Sequence, residues 1–115
     1  MMTVDLDEVL REYRAGLEAE MTLLHRLEHL DTSRHDAASH AGVIELAALA
    51  DERETVMANL VSIEHTLKPL RAQLVEARAT LQGDAVFQEV ADLHQKAADL
   101  VARILATDSR SLQAL

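Results

Sequence analysis

Positions 46, 49, 53, 56, 60, 63, 67, 70, 74, 77 and 81 of this chain advance by alternating steps of three and four without a slip. They hold Leu, Leu, Arg, Val, Leu, Ile, Leu, Leu, Leu, Ala and Leu. A period of 3.5 kept over five heptads marks a helix packed in coiled-coil fashion. Two residues disturb it. Arg53 occupies a seam position; either its stem packs and its head snorkels to a nearby acid, or it is a buried polar group that sets the register. The first is the preferred reading. Pro69 lacks an N–H and crowds the preceding turn, so the helix either continues with a kink or breaks briefly and restarts near Pro69.

The flanks read the same way. From about Thr3 to Leu30, apolar side chains fall at Leu6, Leu10, Tyr13, Leu17, Met21, Leu24, Leu27 and Leu30, the helical period. Asp5, Asp7 and Glu8 suit the positive end of that helix, with Thr3 or Asp5 as the N-cap. DTSRHDAASH (31–40) is polar and rich in capping residues, and is expected to be an interhelical turn plus the start of the next helix. Gly83 is a C-cap and Asp84 an N-cap. The last helix carries Val86, Val90, Leu93, Ala97, Leu100 and Ile104, widened by Phe87, Val101 and Leu105. In the tail SRSLQAL only Leu112 and Leu115 are large and apolar, so residues 108–115 either fray as a mobile tail or extend the helix.

The expected fold is therefore all-α, one domain over 1–115: an antiparallel bundle of three long helices with coiled-coil-like packing, the middle one kinked or broken at Pro69. Composition agrees. The chain is 49% hydrophobic, yet Tyr13 and Phe87 are its only aromatics, so the core is aliphatic. Three glycines and one proline leave little material for hairpins. A continuous middle helix would outrun its partners by several turns. That overhang must stay exposed, be covered by kinking, or pair with another chain, as in a homodimer.

A formal charge of −9 argues against a phosphate backbone as partner, so no nucleic acid is expected. The N-terminal stretch MMTVDLDEVL is acidic where a signal peptide is basic, and no apolar run is long enough to insert in a membrane. The expectation is a soluble, cytoplasmic protein. Lack of cysteine excludes disulfides and thiol catalysis.

HRLEH (25–29) spells H-x-x-E-H, the zinc signature of inverzincin peptidases. A pair of histidines four residues apart on a helix can bind a metal, but a catalytic zinc needs a third ligand, an open position and a cleft. His25 and His29 fall off the apolar stripe, and the scaffold that supplies the third ligand in those enzymes is missing. The motif reads as a surface coincidence. No serine sits in a Gly-x-Ser-x-Gly setting, and the glycines are too far apart for a phosphate loop. No catalytic residue, cofactor or metal is expected. The apolar positions Val101, Leu105, Leu112 and Leu115 are the candidates for partner binding, because toward the C-terminus the bundle runs out of surface to cover them.

LAALADERETVMANLVSIEHTLKPL (46–70) resembles the Leu-x-x-Leu-x-x-Glu-Arg-x-x-x-x-x-x-Leu helix of flagellar type III export chaperones, the FlgN/FliT-like family. LHQKAADLVARILATDSRSLQAL (93–115) is similar to their C-terminal segment, an aliphatic helix running into Asp-x-x-Ser-Leu. The resemblance implies a cytoplasmic, non-enzymatic chaperone that binds helical ends of hook-associated or filament-cap subunits before secretion. It would place Val101, Leu105, Leu112 and Leu115 in the cargo-binding region. The alternative is a structural coiled-coil module that joins subunits without chaperone activity. On either reading, His25→Ala combined with His29→Ala leaves folding and biological activity intact. Thermal melting and zinc analysis of metal-free-purified protein check this; stoichiometric zinc lost in the double variant together with activity would restore the peptidase reading.

Overall fold

The computed structural model describes residues 5–40 and 42–113, the side chains of 37–40 and 108–113 excepted. These residues form α1 (Leu6–His40), α2 (Val43–Glu76), α3 (Arg78–Leu81) and α4 (Ala85–Gln113), with no strand among them. The fold is all-α, and α1 packs against both α2 and α4.

α1 starts where Asp5 caps it: Oδ1 accepts the backbone N–H of Asp7 at 3.1 Å and of Glu8 at 3.3 Å. Its apolar stripe faces inward as the spacing predicts. Leu10, Tyr13, Leu17, Leu24, Leu27 and Leu30 are buried, and Leu6 and Met21 are half-buried. The expected turn over 31–40 does not form; α1 runs through it to His40. Two of its polar residues have specific partners within the fold. Asp31 is buried and accepts a hydrogen bond from Arg53 Nε at 2.8 Å, and the Thr32 hydroxyl donates to the Glu28 carbonyl one turn back. Sequence position alone could not show that Asp31 meets Arg53. This correction removes the expected overhang as well, because α1 (35 residues) now matches α2 (34 residues).

α2 begins after Gly42, and all eleven seam positions from Leu46 to Leu81 are buried or half-buried. Pro69 lies inside the continuous helix. It removes the hydrogen bond to the carbonyl of His65, but both residues are on the exposed face, where water satisfies that oxygen. The interruption comes instead at Ala77, between α2 and α3. Gly83 then adopts φ +90°, the left-handed conformation that favours glycine. Asp84 caps α4, its Oδ1 accepting from the N–H of Val86 at 2.9 Å and Phe87 at 3.1 Å.

Cross-helix pairs give the directions. Tyr13 meets Arg71 whereas Arg26 meets Glu52, so α1 and α2 run in opposite senses. Arg14 meets Glu89 and Glu28 meets Arg103, so α4 runs with α1. The core has two parts. Near the start of α1, Val9, Leu10, Tyr13 and Leu17 pack with Leu67, Leu74, Leu81 and Val90, uniting all four helices. Further along, Leu24, Leu27 and Leu30 pack with Val56, Ala97, Leu100 and Ile104. At Gly16, α1 leaves no room for a side chain against α2, and a Cβ there would overlap Leu67 Cδ2. Val86, expected in the core, is exposed; Phe87 beside it packs against the core instead.

This burial pattern ranks substitutions. Leu67 is 1% exposed and Leu105 62%. Leu67→Ala should cost about 3 kcal/mol, the transfer energy plus a cavity in a rigid interface. Leu105→Ala should change stability by less than about 0.5 kcal/mol. Urea denaturation measures both; equal effects would show that the core is misplaced.

Candidate partner-binding groove

In the second part of the core, apolar surface of α2 and α4 is left uncovered. Between them lies an open groove of about 420 Å³, floored by Leu24 and Leu27 of α1. One wall is Met57, Leu60 and Val61 of α2, and the other Val101, Ile104 and Leu105 of α4. Leu60 and Ile104 belong to the core edge. Met57, Val61, Val101 and Leu105 are large apolar side chains left exposed side by side. Single exposed aliphatics are ordinary, but a contiguous apolar groove with charged ends is the signature of an interaction surface.

Charged residues mark both ends of this groove. At one, Glu20 of α1 and Glu64 of α2 line it; at the other, Arg53 does. Arg53 reaches an acid, as the preferred reading of the seam has it, but that acid is the buried Asp31 of α1. The pair therefore also ties α1 to α2 at one register. Glu64 belongs to a network that joins the three long helices. Arg71 donates to its Oε1 at 2.6 Å and Oε2 at 3.0 Å, and through Nε to Tyr13 Oη at 2.9 Å. The Arg71 guanidinium also lies 5.8 Å from the Tyr13 ring centroid. With its oxygen accepting from Arg71, the phenol can direct its hydrogen to His94 Nδ1 of α4, 3.2 Å away.

The two carboxylates are affected oppositely. Hydrogen bonds from Arg71 hold Glu64 below the usual carboxylate range. Burial, followed by the charge of Glu64, pushes Glu20 up. Arg71 serves Glu64 with both terminal nitrogens, and among the described residues Glu20 has no ion pair of its own.

Of the residues expected to bind a partner, Val101 and Leu105 lie on the groove wall and are exposed. Leu112 is in the α4 backbone with its side chain outside the described set, and Leu115 lies outside the described residues. The opposite wall was missed. Met57 and Val61 stand just off the seam, each one residue past the seam positions Val56 and Leu60, and that widening of the stripe was the available signal. Glu20 and Glu64 carried no signal, being two acids among many. His25 and His29 are both exposed on α1. Among the described residues, no three His, Asp or Glu side chains gather to hold a metal ion, and no helix is long and apolar enough to cross a membrane.

Comparisons of the chain with protein-family models, curated proteins and solved structures find no match.

The environment of Glu20 yields a stability prediction with a definite sign. Its folded-state pKa is raised, so its contribution to stability is full below the unfolded value and is lost as pH rises through the folded one. Above the unfolded value the raised pKa counts against the folded state. Glu20→Gln should therefore melt higher than the parent at pH 7. The difference should vanish near about pH 3, where the carboxyl is protonated folded or unfolded. A lower melting temperature at neutral pH would mean that Glu20 makes a stabilising contact.

Proposed function

We propose that this protein is a non-enzymatic, cytoplasmic export chaperone: a three-helix bundle that holds helical ends of hook-associated or filament-cap type flagellar subunits before type III secretion. The observation that carries the reading is the uncovered apolar groove between α2 and α4. A helix laid into a groove is a recurring recognition mode, anchored by apolar side chains about one turn apart. Subunits that polymerise through apolar helical ends need those ends masked until export, and an acidic carrier keeps the complex soluble. The flagellar assignment of the cargo comes from the resemblance of 46–70 and 93–115 to that chaperone family.

The passive coiled-coil module is the weaker reading. A helix that assembled subunits through its heptad seam would keep the seam available to another chain. Here every seam position from Leu46 to Leu81 is buried or half-buried within the single chain. The apolar surface left over lies beside the seam.

The test is a pull-down of secreted hook-associated and cap subunits by the parent protein and by Val61→Asp and Leu105→Asp. Both side chains are exposed, so the melting temperature should hardly move. Capture should fall at least about tenfold, since a few apolar anchors dominate small interfaces. Failure of the parent to capture any such subunit would count against the flagellar chaperone reading. Undiminished capture by both variants would move the binding site off the groove.

A further inference from the structure

We propose that Glu20 and Glu64 are the specificity element of the groove, holding a lysine or arginine of a partner's amphipathic helix whose apolar face lies on Met57, Val61 and Leu105. This rests on the groove being a docking surface and adds the chemistry of what docks.

The placement carries the argument. Glu20 projects from the groove's floor helix and Glu64 from its wall helix, and both line the groove beside its apolar surface. Arg71 directs both terminal nitrogens to Glu64 and acts on Glu20 only through its charge. When both are ionised, two neighbouring half-buried carboxylates with one guanidinium leave an excess negative charge at the end of an apolar trough. Such an arrangement opposes folding, as the raised pKa of Glu20 indicates, and a partner's cation would relieve it. Groups whose unfavourable environment a ligand corrects are typical of binding sites.

The alternatives fit less well. Two carboxylates fall short of the six to eight oxygens that calcium takes. A second copy of a chain with net charge −9 would bring like charges together. A basic partner helix is complementary to both the local pair and the whole-chain charge.

The groove also sets the spacing. Along α2, Leu60 and Val61 lie one turn from Glu64 and Met57 lies two turns away. A helix lying alongside would carry its basic residue one turn from the first apolar anchor and two from the second. The cation and the anchors would then share one face at i, i+4 and i+7 or i+8.

Two synthetic helical peptides of about 18 residues test this, identical except for Lys or Gln one turn before a pair of leucine anchors. Fluorescence anisotropy against the parent should show the lysine peptide binding about tenfold more tightly at low salt, the gap narrowing as salt rises. Glu20→Gln should erase the gap while still binding both peptides. Val61→Asp should abolish binding of both. If parent and Glu20→Gln bind the two peptides alike, the carboxylate pair is not the specificity element, and the groove reading stands. If neither peptide binds the parent, the groove reading falls and this inference with it. If sedimentation shows a dimer that Val61→Asp dissociates, the groove is a contact between copies, which overturns a basic partner as its occupant.

Discussion

One helix must serve two partners at once, and the rest of the molecule follows from that. α1 presents an apolar stripe from Leu6 to Leu30 broad enough to receive α2 on one side and α4 on the other. A 3.6-residue repeat read against a stripe of threes and fours spreads apolar side chains over a wide arc. Val9 and Leu23 extend it further, one buried and one half-buried. Because both long partners are held by α1, they need not hold each other along their whole length. Near the start of α1, Leu74 of α2 and Val90 of α4 share one apolar cluster with Leu81 of α3. Further along, the open groove lies between them.

Charge placement favours an open groove at that level. The apolar seam of α2 is interrupted at Arg53, whose partner Asp31 comes from α1. Asp31 is already buried, so α4 could close over the pair only by desolvating the Arg53 guanidinium as well, at a cost of several kcal/mol. At the other end, Glu20 and Glu64 would lose solvent in the same way. The four exposed aliphatics between these ends are the consequence: the walls of a trough that its own charged ends hold open. The exposed pairs Arg14–Glu18 and Arg26–Glu52, by contrast, contribute little to stability.

Binding surface and stability therefore compete for the same residues. Met57, Val61, Val101 and Leu105 would each add to the core if α2 and α4 closed on them. Left open, they favour association with any complementary apolar face, and the carboxylate pair selects which one. The Tyr13–Arg71–Glu64–His94 network, which reaches the groove at Glu64, ties α1, α2 and α4 together. Tyr13 suits that role because its ring packs in the core while its hydroxyl reaches the network.

Heptad spacing determined the inward face of α2, and stripe spacing that of α1, because helix geometry converts intervals of three and four into one face whatever the partner is. The caps at Asp5, Gly83 and Asp84 were legible for a similar reason, being local bargains between a side chain or a φ angle and the nearest backbone groups. Everything that depended on a distant partner was not. Residues 31–40 look like a turn until Arg53, 22 residues away from Asp31 in sequence, accounts for a buried acid in a helix. Val101 and Leu105 could be suspected from the sequence, and Met57 and Val61 only as a widening of the stripe beside the seam, but the pairing of Glu20 with Glu64 could not. Whether an apolar side chain just off a seam is core or surface depends on how far apart two neighbouring helices stand. That distance is set by packing and desolvation across the whole bundle, and no local pattern encodes it.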